Sequence, residues 1–378
     1  VIPLARPRFG EAEEKAVAEV LRSGWVAQGP TTAAFETEFA AAIGVPCAIA
    51  TSSCTTGLHL AVVAAGIGPG DEVILPSYTF PATANVVIYA GATPVLVDVE
   101  RDTLNIDLAA VHSAITPRTR AVIGVHLFGC PCAARELADL CEEKGLTFIE
   151  DAACAIGTEV AGRRAGGFGK IACFSLHARK ILSTGEGGML TTSDARLAEL
   201  LVSLRTHGAD RSAEAREAEG AAPSAPHHVR LGFNYRLSDI QAAVGRVQLK
   251  HLEEFLTERE EAAGRYDEAF RDLPVLRRPG KPRGGRHSYQ SYVVVLEREC
   301  PVERDVFMAK LAESGVSTRI GTYAVHVEPY FTERFPVSSP LPVSEEAARR
   351  SVALPIYNGM TAGDQERVID SVRRALQS

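Results

Sequence analysis

The sequence predicts an α/β protein: a large domain with a mainly parallel sheet covered by helices, followed by a smaller C-terminal α/β domain. Apolar strand-like runs alternate with helical ones from about residue 45 to 205, the pattern of parallel strands joined by crossover helices. A helical segment follows Ser238, and a stretch rich in Pro, Gly and Arg then separates it from a new apolar run at residue 292. The 378 residues, 46% of them hydrophobic, are ample for a sizeable core in each part.

Taken in chain order, the short apolar runs at 48–50, 72–75, 94–97, 121–125, 147–149 and 171–174 read as strands. Leu58-His59-Leu60-Ala61-Val62-Val63 reads as an apolar helix. Ser238-Asp239 has the character of an N-cap, and Ile240, Ala243, Val244, Val247, Leu252 and Phe255 continue at helical spacing, predicting one long helix that leads out of the large domain. Residues 274–286 read as a linker or exposed loop, and Tyr292-Val293-Val294-Val295-Leu296 as the first strand of the second unit. The expected division is 1–254, with an N-terminal arm at 1–30, and 255–378. Residues 209–229 form a polar interruption containing Pro223, Pro226, His227 and His228; long loops inside compact domains are usually functional or mobile.

The formal charge of −7 is spread without long runs of either sign, so no electrostatic footprint for nucleic acid or anionic lipid is present. No apolar segment approaches about 18 residues and the N-terminus lacks the parts of a signal peptide, which gives a cytoplasmic expectation. None of the eight cysteines forms a Cys-x-x-Cys pair; they read as mostly free, buried thiols, with no metal site expected.

Chemistry concentrates where strands end. Asp151 closes the run Phe148-Ile149-Glu150-Asp151, at the sheet edge where open α/β proteins hold ligands. Lys180 lies between the apolar run ending at Phe174 and another at Met189-Leu190, with Gly185 and Gly187-Gly188 as a flexible turn. An amine so placed needs a partner. A lysine able to form a Schiff base and a carboxylate able to keep a pyridine nitrogen protonated are the pair that pyridoxal phosphate (PLP) chemistry requires. Thr51-Ser52-Ser53-Cys54-Thr55-Thr56-Gly57 opens an apolar helix, either as a plain N-cap or as a phosphate site, and beside Lys180 and Asp151 the phosphate reading is preferred. Tyr78 or Phe80, just after the strand at 72–75, offers a ring to stack on a flat cofactor, although loop aromatics more often pack.

Five motifs in order resemble the DegT-type (DegT/DnrJ/StrS) sugar aminotransferases, fold-type-I PLP enzymes. They are Ser-Ser-x-Thr-x-x-Leu-His-Leu-Ala from Ser52, Thr-Phe-x-Ala-Thr-Ala-Asn from Thr79, Glu-Asp-Ala-Ala from Glu150, Phe-Ser-x-His-x-x-Lys with Thr-Gly-Glu-Gly-Gly-Met, and Gly-Phe-Asn-Tyr-Arg-Leu-Ser-Asp-Ile-Gln from Gly232. The resemblance implies that Lys180 is the Schiff-base lysine, Asp151 meets the pyridine nitrogen and Phe80 stacks on the ring. It implies that Thr55, Thr56 and Ser175 reach the phosphate, and that Asn234 reaches the phosphate in the partner subunit of a homodimer with shared sites. Two departures stand out: Cys54 occupies a position where many relatives have glycine, and Cys154 one where Gln or His often lies near the cofactor's phenolic oxygen.

The reaction so implied transfers an amino group from an amino acid, glutamate in first place, to a nucleotide-linked keto-sugar, with Lys180 as covalent anchor and general acid/base of lowered pKa. Segments 23–30, 209–229 and 318–326 match the acceptor pocket of relatives. Trp25 and Tyr323 there are substrate contacts or packing residues, and Arg319 and His326 suit a carboxylate or a diphosphate. An aminotransferase of keto-cyclitols or other small ketones fits the same catalytic set. A keto-sugar dehydratase is disfavoured, since relatives of that kind carry His where this chain has Lys180. A non-catalytic PLP-binding regulator is disfavoured by the intact catalytic set and by the lack of a basic patch.

Overall fold

The structure is a computed structural model, and it describes residues 1–210, 225–280 and 284–377. Its central sheet has seven strands in the order β1-β10-β9-β6-β5-β2-β4: β1 (Cys47–Thr51), β2 (Glu72–Pro76), β4 (Thr93–Val97), β5 (Thr119–Val125), β6 (Thr147–Asp151), β9 (Ile171–Ser175) and β10 (Gly188–Thr192). The β9-β6-β5-β2-β4 pairings are parallel, while β10 runs against both β1 and β9. All six predicted strands of this part are present; β10 is the added one.

Both faces of the sheet are covered, which is why its strands read as continuous apolar runs rather than alternating ones. Val73 and Leu75 of β2, Ile123 of β5 and Ile149 of β6 pack into one core beneath α3 (Cys54–Ala64), α4 (Ala82–Tyr89) and α7 (Ala195–Arg205). Ile74, Val122 and Phe148, one residue out of step, enter the opposite core with α6 (Ala134–Lys144). Successive side chains on a strand point to opposite faces. Asp151 therefore emerges on the α3 side of β6, and Glu150 on the other. Because β1, β2, β5, β6 and β9 point the same way, the residues just after each of them converge at one sheet edge.

The C-terminal part has an antiparallel sheet in the order β11-β13-β16-β14, formed by Leu276–Arg277, Tyr292–Leu296, Ser351–Leu354 and Arg319–Ile320. It shares a core with the helices Leu252–Ala269, Arg304–Glu313 and Ala362–Leu376, and Ile2 from the N-terminus joins that core. The strand β15 (Tyr323–Ala324) pairs with β3 (Tyr78–Thr79), tying this part to the convergent edge.

Two expectations change. The long helix after Ser238 is two helices, Asp239–Lys250 and Leu252–Ala269, joined at His251. The His251 amide bonds three residues back to Gln248, and its Nδ1 donates to Glu254, so the break is capped without Pro or Gly. The Ser238 cap itself is present as a reciprocal pair with Gln241. Within 274–286, the two-residue strands β11 and β12 (Gly285–Arg286) pair with β13 and β7 (Glu159–Val160), too short to leave a period in the sequence. Of the polar interruption, 211–224, including Pro223, lies outside the described residues; His228 bridges back to Ala209.

Candidate active site

The convergent edge holds a cavity of about 320 Å³ lined by Thr55, Phe80, Asp151, Cys154, Ser175, Lys180, Arg319 and Tyr323, with Cys54, Thr83, His177, Arg179, Glu186 and Gln290 among its other walls. Eight of the twelve residues singled out from sequence are thus brought together. Thr56, Trp25, Asn234 and His326 are not in the lining.

Asp151 is only 5% exposed. Its carboxylate accepts the Thr83 hydroxyl at 2.8 Å and the Ala153 amide at 3.1 Å. Burial pushes its pKa above the ordinary value, opposed by those two donors and by Lys180 and His126. A buried carboxylate with spare acceptor capacity and no full counter-charge suits a cationic N–H. Thr83 falls in one of the motifs, but only the structure shows that its hydroxyl aims at Asp151.

Lys180 sits on a loop that folds back on itself: the amides of Leu176, Ala178 and Thr184 bond the carbonyls of Gly187, Gly185 and Leu176 at 2.8–2.9 Å. The glycine turn is thereby held in place, with Gly185 at φ +83°. Gln290 clamps the backbone on both sides of the lysine, donating to the Arg179 carbonyl at 2.7 Å and accepting from the Ile181 amide at 2.9 Å. Arg259, buried on the helix Leu252–Ala269, fixes Gln290 in turn through the Tyr289 and Gln290 carbonyls at 3.0 and 3.3 Å. Nothing in the sequence marks Gln290, because the contact spans two distant segments with no pattern of their own.

The Lys180 amine lies 3.0 Å from Cys154 Sγ. Its pKa was expected to be low, and the structure corrects this. Burial does pull the amine down, but the neighbouring Cys154, Cys54 and Asp151 outweigh it and hold the amine above its ordinary value.

The N-terminus of α3 forms another wall. Ser53 caps the helix by accepting the Thr56 amide at 3.1 Å, and Thr56 returns its hydroxyl to Ser53. The amides of Cys54 and Thr55, the first two of the helix, have no carbonyl to bond within it. A Cβ on Gly188 would come within 2.4 Å of the Ser53 carbonyl carbon, so only glycine lets β10 lie this close beneath the helix start.

Of the two candidate rings, Tyr78 is fully buried, its hydroxyl 2.6 Å from Ser351, whereas Phe80 is 55% exposed and lines the cavity with its ring 6.3 Å from that of Tyr323. Arg319 reaches the Tyr323 hydroxyl at 3.4 Å. Arg179 stands at the same wall, its pKa lowered first by burial and then by the charge of Arg319. Elsewhere, Trp25 donates from its indole to the Gln28 carbonyl and leaves no room for a side chain at Gly29. His326 is buried 2.6 Å from Ser77 Oγ. Asn234 is exposed, on a segment bridged to Thr206. Among the described residues no His, Cys, Asp and Glu cluster could hold a metal ion, and no helix is long and apolar enough to cross a membrane.

The sequence profile of the DegT/DnrJ/EryC1/StrS aminotransferase family matches residues 7–373. The spore coat polysaccharide biosynthesis protein SpsC of Bacillus subtilis (strain 168) is 40% identical over 376 residues, which is 98% of this chain and 96% of SpsC. Among solved structures, the aminotransferase TlmJ of Streptoalloteichus hindustanus superposes with a TM-score of 0.91 at 37% identity, over 100% of this chain and 99% of TlmJ. Helicobacter pylori PseC, an aminotransferase involved in the biosynthesis of pseudoaminic acid, gives 0.93 at 26% identity with the same coverage.

The family's enzymes are PLP-dependent, and this cavity fits that cofactor. It offers an amine, a buried carboxylate short of positive charge, two helix-terminal amides and an exposed ring around one cavity. A PLP-dependent aminotransferase, the chain belongs to the DegT/DnrJ/EryC1/StrS aminotransferase family.

Proposed function

We propose that the enzyme transfers an amino group from an amino acid, glutamate in first place, to a nucleotide-linked keto-sugar in amino-sugar biosynthesis, as a homodimer with shared active sites. The observation that carries this is the cavity itself: Lys180 and Asp151 at its base, and two guanidinium groups, Arg179 and Arg319, at one wall. Guanidinium groups recognise carboxylates and phosphates, and both substrates of such a reaction are anions. The roles of SpsC and PseC in polysaccharide and pseudoaminic acid biosynthesis support a sugar acceptor.

When bound, PLP supplies an electron sink for the bond-breaking step at the substrate's α-carbon. In the proposed site Asp151 holds the proton on the ring nitrogen, braced by Thr83 and the Ala153 amide. The start of α3, with Thr55, Thr56 and Ser175, holds the phosphate, and Phe80 covers the ring. Cys154 would sit on the side of the cofactor's phenolic oxygen, where many relatives place Gln or His. Lys180 holds the cofactor before substrate arrives, then moves a proton to and from the substrate α-carbon. Trp25, Arg319, Tyr323 and His326 are the proposed acceptor contacts. Asn234 is exposed and outside the lining of its own chain's cavity, with Leu231 also exposed nearby, which supports its serving a second copy.

The test is the absorption spectrum of the enzyme with PLP before and after excess L-glutamate, beside Lys180→Ala. Conversion of the visible band to a near-ultraviolet one with release of 2-oxoglutarate, in wild type alone, supports the reading; a band that amino donors leave unchanged refutes it. Nucleotide keto-sugars and keto-cyclitols offered as acceptors then separate the sugar reading from its cyclitol alternative.

A further inference from the structure

Cys154 is the half-buried thiol that lines the cavity; Cys47 and Cys300 are half-buried too but lie outside its lining. Cys54, Cys130, Cys132, Cys141 and Cys173 are buried. Burial pushes Cys54 and Cys173 well up and Cys130 and Cys141 to about 12, so these four stay protonated and unreactive. Cys154 is only half-buried, lines the cavity, and has the Lys180 amine 3.0 Å from its sulfur. An accessible sulfur in a cavity can attack a peroxide, and the oxidised sulfur would then lie within bonding reach of a nitrogen nucleophile. The contact is held from both sides: the Cys154 carbonyl accepts from Ser288 Oγ at 3.2 Å, and Gln290 pins the backbone around Lys180.

We propose that peroxide oxidation joins Cys154 to Lys180 through a sulfur–nitrogen bond, a reversible modification that withdraws the amine from the cavity's chemistry. In the first step the peroxide O–O bond breaks, sulfur loses two electrons to form Cys154 sulfenic acid, and the departing hydroxide takes a proton from the Lys180 ammonium to leave as water, the thiol proton passing to solvent, so the amine is left neutral. In the second, the neutral Lys180 amine attacks that sulfur. The S–N bond forms, the S–O bond breaks, and hydroxide leaves with a proton from nitrogen as a second water. Sulfenic acids condense with nearby nitrogen nucleophiles in this manner. Two molecules of a small thiol reverse it: the first breaks the S–N bond and returns a proton to nitrogen, the second releases the Cys154 thiol and leaves with the first as a disulfide. The link competes with the cofactor for one nitrogen, so an enzyme whose lysine is engaged by PLP resists it.

The experiment treats the full-length enzyme with hydrogen peroxide, with and without prior PLP, and maps peptides by mass spectrometry. The expected product is one species joining the Lys180 and Cys154 peptides, lighter than their sum by two hydrogens, uncut by trypsin after Lys180 and released by dithiothreitol. It becomes the main Lys180-containing species in the cofactor-free sample and recedes when PLP is supplied first. It is lost in Cys154→Ser and kept in Cys54→Ser, which separates the two cavity thiols. Oxidation of Cys154 to sulfinic or sulfonic acid with Lys180 unlinked overturns the proposal, as does a link that survives Cys154→Ser or vanishes in Cys54→Ser. None of these readouts requires a substrate, so failure of the proposed transamination leaves the test intact.

Discussion

Replacing Glu150 by glutamine tests how the β6 edge is held together. The Glu150 carboxylate is fully buried: one oxygen accepts the amides of Phe168 and Gly169 at 2.7 and 2.6 Å, the other the Gly166 amide at 2.8 Å and His126 Nε2 at 3.0 Å. Burial pulls the His126 pKa down, but its contacts with Cys132 and Glu150 outweigh it and raise it to about 10, and His126 Nδ1 lies 3.2 Å from the Cys132 amide nitrogen. A glutamine has one acceptor oxygen, so whichever way it turns, an NH₂ group meets two donors. Each donor left without an acceptor costs about 1–3 kcal/mol, and the loss for two, less the relief of no longer burying a charge, comes to about 1–5 kcal/mol. Burial pushes the Glu150 pKa up, but the His126, Gly169 and Gly166 hydrogen bonds outweigh it and hold it below the ordinary 4.5. A depressed carboxylate stabilises the fold above its unfolded pKa and loses that contribution as pH falls through the folded one. Urea unfolding of wild type and Glu150→Gln at about pH 7 and about pH 4 therefore gives a large stability gap that narrows with acid. A gap below about 0.5 kcal/mol at neutral pH, or one independent of pH, refutes the reasoning.

Three further outcomes are expected. Gly188→Ala places a methyl against the Ser53 carbonyl and Cys54 amide, backbone atoms that cannot step aside; it costs about 1–3 kcal/mol and weakens PLP retention, read by equilibrium dialysis. Gln290→Leu removes both backbone hydrogen bonds around Lys180, and stopped-flow measurement of the glutamate half-reaction gives a rate lowered about 10-fold or more with thermal stability reduced. Asn234→Ala lowers PLP affinity without disturbing the cavity of its own chain, and unchanged affinity counts against shared sites.

The strands, the mainly parallel sheet and the convergence of Lys180 and Asp151 were legible because buried strands leave unbroken apolar runs and the motifs sit where those runs stop. Periodicity also separates Asp151 from Glu150 once the faces of β6 are known. What stayed hidden depends on contacts between distant segments. From local pattern alone Tyr78 and Phe80 were equivalent; the resemblance singled out Phe80, and the pairing of β3 with β15 takes Tyr78 into the core. Thr83 and Gln290 act through one hydroxyl and one amide, which no local pattern announces. The helix break at His251 carries no Pro or Gly. The direction of the Lys180 shift reversed because the balance between desolvation and neighbouring charges depends on distances, not on composition.

The Gln290 clamp bears on how such enzymes can be recombined. It touches only the carbonyl of residue 179 and the amide of residue 181, and so is indifferent to the side chains on either side of the lysine. A chimera that takes its C-terminal segment from a relative, in order to import a different acceptor preference, needs a glutamine at the clamp and an arginine behind it. It does not need a matched loop. Conversely, opening the cavity by swinging the C-terminal part away would drag the lysine along, so access for bulky acceptors has to come from movement of other walls.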